Sequence, residues 1–193
     1  MIIDGMESQQ GPLTVDTVED IECFYELVNG RAEIHATPES SHARTVHRLA
    51  FHLTNGEPEG RETFTRPVIV LNRERTHFRR PDVVVIDHYP PLDDYITTPP
   101  LLAVEVVSSD SVLRDHHTKR GEYAAFGIPS YWIVTVGPFA PSILEFRLGG
   151  TEYRCVGEVV GSDVFETDAP FPVKLVPHWL TAGGPWMEHI GGE

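Results

Sequence analysis

The chain has 193 residues, with 15 Lys plus Arg against 29 Asp plus Glu, for a formal net charge of −14. Hydrophobic residues make up 40% and charged residues 23%, which suits a globular protein that buries one core and excludes fibrous and disordered classes. No apolar run approaches the roughly 20 residues of a membrane helix, and the acidic balance argues against a protein that coats nucleic acid non-specifically.

The opening MIIDGMESQQ has acids and no basic stretch, so it does not read as a secretory signal, and residues 1–13 are expected to form a flexible segment. TVEDIECF suggests a short helix with Thr17 as its cap and Asp20 three residues on. FYELVNGRAEIHA predicts two strands around the Asn29-Gly30 turn. A helix follows in SSHARTVHRLAFHLTNG. Ser40 or Ser41 is expected to cap it, Val46, Leu49, Ala50 and Leu53 form its apolar face, and Asn55-Gly56 ends it. ETFTRPVIVLN predicts one strand, Pro81–Asp87 a second and Leu101–Ser108 a third. The last two are nearly continuous apolar runs, the pattern of strands covered on both faces.

A helix is expected from just after Asp110 through Ala125, closed by Gly127, and SYWIVTV then gives another buried strand. ILEFRL, TEYRCVGEVV and FPVKLV read as an antiparallel meander. Together these elements predict an α/β fold: a single domain over 14–180 with a mixed sheet flanked by helices, an antiparallel β extension and a tail over 181–193. Cys23 and Cys155 sit in apolar stretches and fit no zinc or disulfide pattern, so buried, reduced thiols and a cytoplasmic location are expected. The exposed β tail could support a homodimer.

The charge is unevenly spread. Residues 1–60 hold 11 acids and 3 bases, whereas residues 61–120 hold 9 of each. Six arginines, among them Arg66, Arg79 and Arg80, crowd into 61–80. They form either a solvated surface or a track for phosphates.

Glu105 is the one charged residue in LLAVEVV. A carboxylate there is costly unless it is paired or binds a cation. Asp82 opens the preceding strand. Two carboxylates converging at strand ends are hard oxygen ligands for Mg²⁺ or Mn²⁺. Equally, Asp82 could cap a turn and Glu105 could pair with an arginine. Lys119 is one of only two lysines beside 13 arginines. A compact ammonium suits charge stabilisation at phosphorus. Asp115, Lys119 and Tyr123 form an i, i+4, i+8 row on one helix face, which is either a surface pair or a functional face. His116 and His117 are adjacent, and His42, His47 and His52 are five apart, so neither set has zinc spacing. Tyr123 and Trp132 are expected in the core.

These segments carry a resemblance. RRPDVVVID, LLAVEVVSSDSVLRDHHTKRGEYAAFGIPSYWIVTV and the upstream FYELVNGRAEIHATPESSHARTVHRLAFHL resemble the Uma-two family of restriction-endonuclease-type proteins, in the PD-(D/E)xK nuclease superfamily, over roughly residues 14–180. PD, EVVS, D-x-x-x-K-x-x-x-Y and G-I-P-x-Y-W-I-V occur in that order. The resemblance implies a restriction-endonuclease-like fold and a metal-dependent endonuclease acting on DNA. Asp82 and Glu105 would be Mg²⁺ (or Mn²⁺) ligands, joined by the backbone carbonyl of Val106 and by Glu26. The superfamily's lysine two residues after Glu105 is replaced by Val107, and the resemblance makes Lys119 its substitute as catalytic lysine. His42, Arg79 and Arg80 would contact phosphate. The missing strand lysine also admits an inert nuclease-fold module for binding or assembly, and the same carboxylates would serve a hydrolase of another phosphoester.

Overall fold

The computed structural model describes residues 11–18, 24–37, 39–87, 95–107, 114–136 and 141–192. Asn29 and Gly30 both have positive φ, 50° and 78°, the geometry of a tight hairpin turn whose twist matches the flanking strands. They join β1 (Tyr25–Val28) to β2 (Arg31–Ile34). α1 (Ser40–Gly56) spans the predicted helix and buries Val46, Leu49 and Leu53. Its capping differs from the expectation. Glu39 holds the N-cap position without a side-chain bond, and neither serine serves. Residues 14–18 form a turn in which Thr17 Oγ1 accepts from the Thr14 amide, while Asp20 and Cys23 lie outside the described residues.

The strand expected from ETFTRPVIVLN is two strands. β3 (Arg61–Thr65) and β4 (Ile69–Val70) belong to different sheets. Arg66 between them is left-handed at φ 53°, and Pro67 has no amide proton for a ladder, so the chain turns out of one sheet into the other. β5 (Phe78–Arg79), β6 (Val83–Asp87) and β7 (Leu102–Val107) follow. A π-helical stretch, Arg114–Lys119, then runs into α2 (Arg120–Phe126), which Gly127 closes at φ 94°. The predicted helix therefore exists there, but its first described turns are wound wider than α, a local form frequent at functional sites. β8 (Ser130–Thr135), the hairpin β9 (Ser142–Gly149) and β10 (Glu152–Val160), the short pair β11 (Phe165–Thr167) and β12 (Val173–Leu175), α3 (Pro177–Thr181) and α4 (Trp186–His189) complete the chain.

The main sheet has the order β10-β9-β8-β7-β6-β3. Only β7–β8 is parallel, because a helix connects them; the other neighbours are antiparallel. The small sheet runs β2-β1-β5-β4. The expected α/β architecture, a mixed sheet with helices and an antiparallel C-terminal extension, is thus what the chain forms.

Alternation along β7 divides the core. Leu102, Val104 and Val106 face α1, Leu180 of α3 and Phe165 of β11, whereas Ala103 and Val107 face Tyr123 and Ile128. Both faces are covered, as the apolar run predicts. Truncating a fully buried residue such as Leu49 to Ala would cost about 2–5 kcal/mol.

The chain beyond residue 180 is not a loose tail. Ile190 is buried in the same core, and Trp186 packs against it beneath the Arg48 guanidinium. Cys155 is exposed, contrary to expectation, because β10 is the sheet's edge. Among the described residues no helix is long and apolar enough to cross a membrane.

Candidate active-site cleft

The β6–β7 ladder pairs Val83 with Val104 and Val84 with Ala103. One further step in that register sets Asp82 opposite Glu105, so the two acids lie side by side on one face of adjacent strands. Both are buried, and both line a cleft of about 620 Å³. Lys119, Glu26, His42 and Val106 line it too.

Asp82 is oriented by three donors. The Val106 amide donates to Oδ2 at 2.9 Å, His42 Nε2 lies 3.1 Å from the same oxygen, and Arg66 Nε is 3.5 Å from Oδ1. The other ring nitrogen of His42 is 3.5 Å from Arg66 Nη2. Arginine only donates, so in a neutral ring Nδ1 is the acceptor and Nε2 carries the proton aimed at Asp82. Both nitrogens of His42 are therefore engaged. The 3.1 Å contact places His42 to orient Asp82, and His42 also lines the cleft, where the sequence expected it to contact phosphate.

The helical row reaches Glu105. Lys119 Nζ donates to Glu105 Oε1 at 2.9 Å, and Tyr123 hydroxyl donates to the same oxygen at 2.6 Å. Lys119 also lies 3.1 Å from Glu26 Oε1 and 3.6 Å from Asp115 Oδ1. Burial works to strip Lys119 of its proton, but Glu105, Glu26 and Asp115 outweigh it and push the ammonium's pKa up. Lys119 is thus a fixed cation and no general base. Burial also pushes Glu105 up, reinforced by Asp115, Asp82 and Glu26 and opposed by Lys119.

Glu26 arrives from β1, in the small sheet. Its Oε1 accepts the Arg80 amide at 3.0 Å besides Lys119, and its Oε2 meets Arg79 Nη1 at 2.9 Å and His35 Nε2 at 3.1 Å. Burial works against its ionisation, yet Lys119, His35, Arg79 and the Arg80 amide hold its pKa well below the usual range. With four donors on two oxygens, Glu26 is placed to hold Lys119 and Arg79. Glu26, Glu33 and His35 bring ligand atoms within 4.8 Å of one another, but Arg79 already sets a cation against both glutamates.

The two arginines expected on phosphate part company. Arg79 is 1% exposed, with Nε and Nη2 forked onto Glu122 at 2.7 and 2.8 Å and Nη1 on Glu26 and Glu33. Four of the five N–H donors of that guanidinium end on carboxylates, and Arg79 is not among the residues that line the cleft, so the structure does not present it to a phosphate there as expected. Arg80 does line the cleft, its guanidinium lying over the rings of Tyr25 and Phe78. Sequence reasoning counted Arg66 in the arginine-rich stretch 61–80 but did not single it out, and the structure sets it in the cleft. It weighed Tyr123 as core and Asp115 as half of a surface pair, although their spacing with Lys119 already put them on one face.

The donor set fits a divalent cation. Five carboxylates, Glu26, Glu39, Asp82, Glu105 and Asp115, line the cleft together with Lys119, Arg66, Arg80 and Arg114. Asp115 Oδ1 is buried without a hydrogen-bond partner among the described residues. Clustered carboxylate oxygens, one of them without a hydrogen-bond partner among the described residues, are the hard ligands that Mg²⁺ or Mn²⁺ would take.

A family model described as "Uma2: Putative restriction endonuclease" matches residues 15–181. A similar solved structure is that of a chain described as "a putative nuclease belonging to DUF820", from Anabaena variabilis. The TM-score is 0.62 at 12% sequence identity, and the match covers 81% of this chain and 89% of that one. At that identity the likeness is one of fold. The curated proteins yield no match.

Proposed function

The chain belongs to the Uma2 family, described as that of "putative restriction endonucleases", and from that premise we propose that it is a divalent-metal-dependent nuclease hydrolysing DNA phosphodiester bonds in the cleft of Asp82, Glu105 and Lys119. The observation that supports this best is the placement of Glu105. The one carboxylate of an apolar strand stands across from Asp82, in a shared cleft, with a buried ammonium 2.9 Å away.

In this reading Asp82, Glu105 and the Val106 carbonyl hold Mg²⁺ or Mn²⁺. When bound, the ion supplies Lewis-acid polarisation of a phosphoryl oxygen and acidifies its water. The chain's own groups do the rest. Val106 and His42 fix the rotamer of Asp82. Tyr123 and Lys119 fix Glu105. The permanently protonated Lys119 offsets negative charge that builds on the phosphoryl oxygens, and Arg80 lies where it can guide the backbone.

The test is nicking of supercoiled plasmid with Mg²⁺ or Mn²⁺ against EDTA. Wild type should cut only with metal, and Asp82→Asn, Glu105→Gln and Lys119→Met should each cut at least ~100-fold more slowly. Equal cutting by all three variants would sink the assignment. One observation favours an inert binding module instead: Lys119 Nζ, within 3.6 Å of three carboxylates, already supplies a cation there. Calorimetry separates the two, because the inert reading predicts no Mg²⁺ or Mn²⁺ binding at millimolar concentration.

A further inference from the structure

We infer that Arg66 is the residue that receives a substrate phosphate in this cleft. The inference rests on the phosphodiesterase reading above and adds to Arg80, which also lines the cleft, a binding residue that Arg79 does not supply.

Three independent features point to Arg66. The first is its backbone. Arg66 holds φ at 53° in the turn that leaves β3 for the small sheet, and its amide donates to the Asp82 carbonyl at 3.1 Å. A side chain with a Cβ is disfavoured in that conformation, where glycine is at ease. Strained positions of this kind cluster where a side chain must be held at a ligand.

The second is how its guanidinium is spent. Other arginines have short partners: Arg79 meets three glutamates, Arg75 forms a two-pronged pair with Asp16, and Arg48 Nη1 meets the carbonyls of Trp179 and Ala182 at 2.8 and 2.6 Å. Arg66 has only long contacts among the described residues, 3.5 Å to Asp82 Oδ1 and 3.5 Å to His42 Nδ1, while its plane lies over the Phe24 ring at 4.7 Å. Contacts of that length hold the group in place without using its hydrogen-bonding capacity.

The third is location. Arg66 lines the cleft beside Asp82. A phosphate that comes within reach of Asp82 comes within reach of the guanidinium, whose planar fork matches two phosphate oxygens. Phe24 stacking and the turn backbone fix the plane before the anion arrives, which lowers the ordering cost of binding.

The test uses the full chain and a short fluorescein-labelled DNA duplex. Ca²⁺ replaces Mg²⁺, and affinity is read by anisotropy over a range of NaCl. Arg66→Gly removes the guanidinium and relaxes the backbone. Arg66→Gln removes the charge alone. Both should weaken binding about tenfold, the usual worth of a charged hydrogen-bonded contact, and reduce the salt slope by about one phosphate. Arg66→Gly should melt no lower than wild type, which separates lost recognition from lost folding. Wild-type affinity and slope in Arg66→Gly would overturn the inference, as would a wild-type protein that binds no duplex. If the Arg66 variants bind as expected but Mg²⁺ gives no cleavage in wild type, the nuclease reading fails while Arg66 stands. If wild type cleaves and Arg66→Gly keeps its KM, the reverse holds.

Discussion

Arg79 and Lys119 are both buried cations among carboxylates, and they share Glu26, yet one closes a structural cage and the other faces a cleft. Arg79, on β5, gathers Glu26 and Glu33 from the small sheet and Glu122 from α2. Four of its five N–H donors end on those glutamates, so it ties the small sheet to the helix that covers the main one. Lys119 takes the other oxygen of Glu26 together with Glu105 and Asp115. Its compact ammonium opens onto the 620 Å³ cleft. Burial and sign of charge are nearly equal in the two. What separates them is whether the donors end on protein alone or can also reach a ligand.

That difference can be broken by truncating each cation. Arg79→Met leaves Glu122 without its two-pronged partner and takes a donor from Glu26 and Glu33 in a poorly solvated place, and should lower stability by about 3–5 kcal/mol. Lys119→Met should cost less, about 1–2 kcal/mol, because Glu26 keeps three other donors and Glu105, whose pKa is already raised, can take a proton. Its loss of metal-dependent cleavage should be the larger one. Urea unfolding and plasmid nicking on the same preparations check both. Equal destabilisation by the two variants would erase the distinction.

Smaller in effect is Tyr123→Phe. The hydroxyl donates to Glu105 at 2.6 Å from a side chain with no exposure, while the ring packs edge-on against Tyr131. Phenylalanine keeps the packing and removes one donor to a carboxylate, so the expected cost is about 1.5 kcal/mol by urea unfolding. No change would mean that Lys119 alone orients Glu105.

The site was legible wherever a residue clashed with its local pattern. Glu105 broke an apolar run, Asp82 opened the neighbouring strand, and Lys119 was a rare lysine at helical spacing from Asp115 and Tyr123. Strand adjacency then did the rest, since antiparallel register brings the two acids together. What stayed hidden depends on partners distant in sequence. Arg79 read as a phosphate contact or a solvated charge because Glu26, Glu33 and Glu122 come from three other elements. The apolar VIV concealed the break at Arg66, which only the choice of two sheets reveals. Cys155 read as buried because an edge strand and an inner strand share one local pattern until the sheet order is known.

The smallest predicted effect tests the same comparison by pH. Burial works against ionised Glu122, but His77, 3.4 Å from Oε1, and the fork of Arg79 hold its pKa down to about 2 from an ordinary 4.5. As pH falls below 4.5 the unfolded chain takes up this proton before the folded one does. The cage's contribution is therefore complete above 4.5 and is lost progressively towards 2. Glu105 has the opposite sign. Its folded pKa is raised, so its contribution weakens as pH climbs above the ordinary carboxylate range. The acid limb of the stability profile then draws on Glu122 in the Arg79 cage and on Glu26, which Lys119 and Arg79 share, and the decline on the other side on Glu105. Glu122→Gln should flatten the acid limb in urea titrations between pH 4.5 and 2 while leaving some slope, because Glu26 is also held low. An acid limb as steep as that of wild type would mean that Arg79 holds the small sheet to α2 without drawing on the charge of Glu122.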